Sequence, residues 1–125
     1  MAISVVCIIN DNDCYHLAVS LDEEGNCILY VNGQEVHRQQ LEANQVPPNK
    51  AARFIGRNFH GKLDEVRFWD VARTGDQIRA DMDRSLTGNE VGLVAYYPMD
   101  MDYTTWSITD KSTNNNHVLI EALKD

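Results

Sequence analysis

Residues 62–69 (KLDEVRFW) carry the acidic side chains best placed for chemistry, on a segment of strand-forming types. Successive side chains on a strand point to opposite faces. Glu65 and Arg67 form a charged row that favours solvent, so the alternation predicts that Asp64 points inward. A carboxylate that ionises in a protein interior needs a cation or several hydrogen-bond donors beside it. Two interpretations of Asp64 stay open: a metal ligand, or an acceptor of bonds from turn amides or a nearby arginine.

Aromatic side chains are the second group with binding chemistry, because their faces stack on the apolar faces of sugar rings. By the same alternation, Trp69 falls on the outward face of its strand. Trp106 and Tyr103 fall in a polar loop. These three residues are the candidate ligand-binding side chains. The alternative for Trp69 is packing against a helix that begins near Thr74.

Catalytic patterns are missing from the sequence. A retaining glycosidase holds two carboxyl groups about 5–5.5 Å apart, which on one strand requires acidic residues at alternate positions. Asp64 and Glu65 are adjacent and therefore point to opposite faces, while Glu23 and Glu24 lie in a predicted turn. No local motif of a Ser/His/Asp or Cys/His site is present. The sequence predicts a protein that is not an enzyme.

Short strands joined by tight turns are predicted to position these residues. Residues 3–9 are apolar and β-branched, and residues 15–21 alternate in polarity. The pair Asn32-Gly33 is typical of a two-residue hairpin turn. Residues 34–40 are polar on both faces, as in an edge strand, and residues 52–55 form a further strand. We therefore expect an all-β, antiparallel sandwich.

One short helix is predicted after these strands. Thr74 and Gln77 have the spacing of a capping box. An apolar stripe at four-residue spacing then runs from Ile78 to Leu86, as on one face of a helix. Residues 91–99 return to strand-forming types, with a proline that suits the edge of a sheet.

Size and charge limit the possible functions. The 125 residues fit a single domain, residues 1–125, with 43% hydrophobic and 24% charged residues. The formal net charge of −8 disfavours nucleic acid and anionic membrane surfaces, because both require clustered lysines and arginines. No apolar stretch is long enough for insertion across a membrane.

The cysteines and the first residues bear on the compartment. Cys7, Cys14 and Cys27 are an odd number and match no zinc motif, so buried free thiols are expected, with a Cys14–Cys27 bridge as the alternative. The start Met-Ala-Ile-Ser has no features of a signal peptide. Either the protein is cytoplasmic or the chain is a piece of a larger protein.

Three segments of the chain resemble a known family. They are HLAVSLDEEGNCILYVNGQEV, RFIGRNFHGKLDEVRFWDVARTGDQIRADM, and LTGNEVGLVAYYPMD followed by TDKSTNNNH. Together they are similar to the laminin G-like jelly roll of the concanavalin A-like lectin/glucanase superfamily, which includes pentraxins. The resemblance covers about residues 15–118. It implies a jelly-roll-like sandwich that acts as a binding or adhesion module for carbohydrate or protein, outside the cell and within a larger protein.

The resemblance also implies calcium as a cofactor. Family members often bind this ion through an aspartate at the position of Asp64, with carbonyl oxygens completing the shell. Asp100 and Asp110, in the segment expected next to it, are the candidate additional ligands. Ca²⁺ takes about six to eight oxygen ligands. The glycines that follow the position of Asp110 in the family are replaced here by Thr113 and asparagines.

The order of the segments departs from the family pattern, because the one at residues 92–100 normally opens the domain and here comes last. Two explanations stay open: a piece of a tandem array, or a compact permuted domain in which residues 91–99 pair with residues 62–69. Either form exposes sheet edges, so a homodimer formed through edges or faces is expected. The alternative function is assembly of a larger extracellular or toxin-like protein.

Overall fold

The computed structural model describes residues 1–9, 13–42, 44, 62–99, 101–102 and 107–119. Over these residues the chain forms nine strands and one helix. In chain order they are β1 (Ala2–Ile9), β2 (Asp13–Leu21), β3 (Asn26–Val31), β4 (Gln34–Gln40), β5 (Lys62–Trp69), α1 (Gly75–Asp81), β6 (Leu93–Tyr97), β7 (Met101–Asp102), β8 (Ser107–Ile108) and β9 (Val118–Leu119). The prediction of an all-β protein with one short helix is confirmed. The predicted strand at residues 52–55 lies outside the described residues.

Two antiparallel sheets form the sandwich. The large sheet has the strand order β4-β3-β2-β1-β5-β6, and the small sheet has the order β7-β8-β9. In the β5–β6 ladder, Val66 lies opposite Tyr97 and Arg67 lies opposite Tyr96. The predicted pairing of residues 91–99 with residues 62–69 is therefore confirmed. Strand β1 joins this pair to the β2–β4 meander.

A tight turn at Asn32-Gly33 fixes the β3–β4 hairpin. Asn32 has φ of 51° and Gly33 has φ of 80°, the positive values that a two-residue hairpin turn requires. The Asn32 side chain also accepts a hydrogen bond from the backbone N–H of His16 at 2.9 Å. The turn is thereby attached to β2, and the hairpin predicted from the sequence is confirmed.

Helix α1 begins at the predicted capping box, in which Thr74 and Gln77 exchange hydrogen bonds. It ends at Asp81, short of the predicted end beyond Leu86. The last carbonyl groups of a helix need partners outside it, and the carbonyl of Asp81 accepts from Arg67 Nη1 at 2.8 Å. Leu86 is buried although it is not helical. The apolar stripe was thus informative about burial but not about the length of the helix.

The core occupies both faces of the large sheet. On one face, here called the helix face, two clusters pack beneath α1 and the segment after it: Ala2, Trp69, Leu86, Leu93 and Tyr96, and then Ala18, Tyr30 and Ile78. On the second face, a cluster of Val66, Ala95 and Tyr97 packs against side chains of the small sheet, including Ile108 and Val118. Strand β5 is consequently buried on both faces.

The predicted alternative of a Cys14–Cys27 bridge is wrong. Cys14 pairs with Ile8 near the start of β2, and Cys27 pairs with Leu21 at its end. Seven residues of strand separate these points, about 23 Å at ~3.3 Å per residue. A disulfide requires Cα atoms within about 7 Å. Both thiols are free, with Cys14 exposed and Cys27 half-buried, and the side chain of Cys7 lies outside the described residues.

Candidate functional site

Asp64, the predicted metal ligand on β5, is exposed, so the inward orientation expected from alternation is wrong. The ladder between β1 and β5 shifts register between Ser4 and Val6, and Glu65 has φ of 49°. An additional residue at such a bulge breaks the alternation of side chains. The Asp64 carboxylate accepts a hydrogen bond from the backbone N–H of Glu65 at 2.8 Å and otherwise faces solvent.

Asp110 is buried and is bound by donors of its own chain. Its Oδ1 accepts from the backbone N–H groups of Tyr96 and Ser112, both at 2.8 Å. Its Oδ2 accepts from the Ser112 hydroxyl at 2.8 Å and from the Asn116 N–H at 2.9 Å. Burial by itself raises the pKa of the Asp110 carboxyl. The hydrogen bonds from Tyr96, Ser112 and Asn116 together outweigh burial, so the pKa is lowered from its ordinary value. The carboxylate therefore stays ionised without a cation.

Residues 110–116, here called the edge clip, cover the outer edge of β6. The carbonyl of Val94 in β6 accepts hydrogen bonds from three side chains of the clip: Ser112 at 3.0 Å, Asn114 at 3.0 Å and Asn116 at 3.1 Å. β6 is the last strand of the large sheet, and an uncovered edge would offer its backbone groups to another chain. The clip satisfies these groups with its side chains and with the backbone N–H of Lys111, which donates to the Tyr96 carbonyl at 2.8 Å, instead of with a further strand.

Asp110, one of the two predicted calcium ligands that the structure describes, does not fit a calcium ion as it is placed. Calcium needs oxygen atoms with free lone pairs, and both oxygens of Asp110 already accept two hydrogen bonds each. Asp64 is exposed, and its role as a calcium ligand stays a prediction. No group of three or more His, Cys, Asp or Glu side chains suited to a metal occurs within the described ranges. Asp100 lies outside those ranges, and its role as a calcium ligand stays a prediction.

Trp69 lies in the core of the helix face. It is 3% exposed and packs with the cluster that contains Leu86 and Tyr96. The guanidinium of Arg73 lies over its ring, 3.9 Å from the centroid. Packing against the helix region is therefore the correct interpretation, and a glycan does not reach this ring. Trp106 and Tyr103, the other aromatic candidates, lie outside the described residues.

We expect Trp69→Ala to lower the free energy of unfolding by about 3–5 kcal/mol, because it removes a large buried side chain and leaves a cavity. Trp69→Phe, which keeps an aromatic ring, should lose clearly less. Urea denaturation followed by circular dichroism measures both. An alanine variant that unfolds at the same urea concentration as the wild type would contradict the buried position of this ring.

Arg67 has a structural role that alternation along the strand did not reveal. Its side chain, expected outside, is 2% exposed. The guanidinium donates to the carbonyl oxygens of Asp81 at 2.8 Å and Arg84 at 2.5 Å, and it pairs with Glu65 at 3.2 Å. It also lies over the Tyr96 ring, 5.5 Å from the centroid. Arg67 thus joins β5 to the end of α1 and to β6.

The second face of the large sheet presents a surface across β2, β3 and β4, here called the open face. Its β2 and β3 side chains are apolar or aromatic and half-buried, apart from the exposed Val19: Tyr15, Leu17, Val19, Leu29 and Val31. Strand β4 adds polar side chains to the same face, since His37 pairs with Leu29 and Gln39 pairs with Cys27. All seven residues of β4 are exposed. The open face therefore combines an aromatic ring, aliphatic groups and amide groups on a rigid sheet.

Residues 5–79 match a laminin G family model described as the concanavalin A-like lectin/glucanases superfamily. The chain belongs to this superfamily. The resemblance read from the sequence is thus confirmed. Among solved structures, the chain is similar to one described as a "putative carbohydrate binding protein" from Bacteroides ovatus, with 29% sequence identity and a TM-score of 0.68. The match covers 88% of this chain and 35% of that protein. No curated protein matches the sequence significantly.

This member of the concanavalin A-like superfamily therefore spans about a third of the length of the Bacteroides ovatus protein that it resembles. Its second layer consists, within the described residues, of three strands of two residues each. These strands pack over β5 and β6, as the cluster at Val66 shows. Among the described residues, the cluster at the small sheet contains side chains of β5 and β6 and none from β2, β3 or β4. In the described part of the chain, no helix is long and apolar enough to cross a membrane.

Proposed function

We propose that the chain is a non-catalytic carbohydrate-binding module. The observation that carries this proposal is the similarity in sequence and fold to the Bacteroides ovatus protein, which is described as a "putative carbohydrate binding protein". Membership of a superfamily that contains lectins supports it. The laminin G-like family also supports a location outside the cell, within a larger protein.

We propose the open face as the ligand site. Sugars present apolar C–H faces beside hydroxyl groups, so a sugar-binding surface needs an aromatic or aliphatic platform next to hydrogen-bonding side chains. Tyr15 and Val19 offer the platform, and His37 and Gln39 lie on the same face of the sheet. Glutamine can both donate and accept, which suits a hydroxyl group. The site needs neither a metal nor a charged ligand.

The placement of the acidic pair on β5 supports a role without catalysis. Glu65 accepts a hydrogen bond from the Tyr96 hydroxyl at 2.7 Å and forms an ion pair with Arg67. Its carboxylate is therefore bound to two side chains of the core. Asp64 is exposed on its own. A retaining glycosidase instead directs two carboxyl groups toward one substrate from about 5–5.5 Å apart.

A glycan array followed by calorimetry with the best ligand tests this proposal. We expect His37→Ala and Gln39→Ala each to weaken binding by about tenfold, equivalent to ~1.4 kcal/mol, because each removes a hydrogen bond to the ligand. Arg38→Ala is the matched control, since Arg38 pairs with Ile28 and points to the other face of β4. The absence of any glycan ligand, or an equal loss in the control, would refute the assignment. Cleavage of the polysaccharide would refute the non-catalytic role.

A second candidate function is assembly through strand β4. The observation that favours it is the difference between the two edges of the large sheet: the edge clip covers β6, whereas all seven residues of β4 are exposed. Edge strands with free backbone groups can pair with a second copy. Light scattering during size exclusion gives the mass in solution. A dimer that Val36→Pro converts to a monomer, without any glycan ligand, would favour assembly over carbohydrate binding.

A further inference from the structure

A small cavity lies on the helix face, where β1 and β2 pass beneath α1. Its volume is about 10 Å³, and its lining includes Ser4, His16, Ala18, Arg67, Ile78 and Asp81. The register explains the space. Ser4 lies between Arg67 and Ala18 in the sheet, so two small side chains are adjacent beneath the helix. The long side chains of their neighbours pass around this space without filling it.

Two residues that line the cavity each have a buried polar atom without a hydrogen-bond partner among the described residues: Nδ1 of His16 and Nε of Arg67. Both side chains are more than nine-tenths buried, at 8% and 2% exposure. A buried polar group without a partner costs about 1–3 kcal/mol. Two such groups on one small cavity therefore indicate a ligand that hydrogen-bonds both.

We propose that one internal water molecule occupies this cavity and bridges Arg67 Nε to His16 Nδ1. The volume is near the lower limit for one water molecule, about 10–15 Å³, and is too small for a larger polar ligand. The Arg67 Nε–H can only donate, so the water oxygen accepts from it. The water in turn donates one O–H to His16 Nδ1. Ser4 lines the same cavity, and its hydroxyl can bind the second O–H.

This arrangement assigns the tautomer of His16. If the water donates to Nδ1, that nitrogen carries no proton, and the neutral ring is protonated at Nε2. Burial and the charge of Arg67 both lower the pKa of His16, although Asp83 opposes them, which agrees with a neutral ring. The other charged groups of the cavity wall are Arg73 and Asp81, which bond to each other. The water thus connects β5 to β2 beneath α1.

Two measurements on the unmodified protein test the proposal. A high-resolution crystal structure should show one density peak within hydrogen-bonding distance of Arg67 Nε and His16 Nδ1. Long-range ¹H–¹⁵N spectra should show His16 protonated at Nε2 alone, with the exposed His37 as the internal reference. His16→Phe removes one of the two partners, and the peak should lose most of its occupancy if this variant folds.

Each alternative result would overturn the proposal. The proposed water would be excluded by an empty cavity or by a direct bond between His16 and Arg67. An anomalous signal at this position would show an ion in its place. A proton on His16 Nδ1 would exclude a water that donates to it. None of these outcomes bears on the open face, because the cavity lies on the opposite face of the sheet, so the carbohydrate proposal stands or fails separately.

Discussion

Asp110→Ala is expected to lower the free energy of unfolding by about 3–5 kcal/mol, because this carboxylate is buried and fully hydrogen-bonded. The substitution removes the acceptor of four hydrogen bonds: one from the Tyr96 N–H, which joins the edge clip to β6, and three from Ser112 and Asn116 inside the clip. Each buried donor left without a partner costs about 1–3 kcal/mol. Water can reach part of the loop after it relaxes, which keeps the total below the sum of four such losses. Urea denaturation followed by circular dichroism gives the value.

Two further variants make the measurement specific. Asp110→Asn retains one acceptor oxygen and can therefore keep two of the four hydrogen bonds. Its loss of stability should be about half that of the alanine variant. Asp83→Ala, at an exposed position after α1, is the control and should not change stability measurably. The loss of stability in Asp110→Ala should be the same with calcium and with chelator, because hydrogen-bond donors of the chain already occupy both oxygens of the Asp110 carboxylate. A loss seen only in calcium would restore Asp110 as a metal ligand.

The contribution of Asp110 should also depend on pH. The folded-state pKa of its carboxyl is lowered from the ordinary value of 3.8. Such a group stabilises the fold fully above the unfolded pKa, and the stabilisation is lost as the pH falls through the lower, folded pKa. The stability difference between wild type and Asp110→Asn should therefore be constant near neutral pH and should shrink below about pH 4. A difference that grows on acidification would contradict a lowered pKa.

Local features of the fold could be predicted from the sequence because short-range chemistry determines them. The Asn32-Gly33 turn depends on two residues that tolerate positive φ, and the start of α1 depends on the side chains of Thr74 and Gln77. The β5–β6 pairing was predicted from the family resemblance, as one of the two explanations that it left open, and the structure contains it.

The orientation of side chains on β5 could not be predicted, because a partner distant in sequence determines it. The bulge at Glu65 arises in the ladder with β1, about sixty residues earlier in the chain. Arg67 and Trp69 share one face of β5, as alternation predicts, but that face packs beneath α1 and the segment after it, whereas the charges of Glu65 and Arg67 had assigned it to solvent. The same limit applies to Asp110: the resemblance made it a candidate calcium ligand, but its hydrogen-bond donors lie in β6 and in the clip, at positions that the sequence did not connect to it.

Arg67→Met is expected to have an effect as large as Asp110→Ala, about 3–5 kcal/mol, the usual cost when one member of a buried ion pair is removed. Methionine fills much of the same volume, so the loss reports the guanidinium rather than a cavity. Without it, the carbonyl groups of Asp81 and Arg84 lose their donors, and Glu65 keeps only its bond to Tyr96. Arg38→Met on exposed β4 is the control and should not change stability measurably.

Three comparisons separate the functions of this guanidinium. Arg67→Lys keeps the charge but cannot reach two carbonyl groups in a fork, so it should recover only a minor part of the loss. Combining Arg67→Met with Glu65→Gln should cost less than the sum of the single losses, by about 0.5–3 kcal/mol, if the two charges interact in the fold. Strictly additive losses would show that Arg67 stabilises the fold through its bonds to the two carbonyl groups and not through its pairing with Glu65. A fully stable Arg67→Met protein would instead mean that β5 and the end of α1 are held together by the apolar clusters without it.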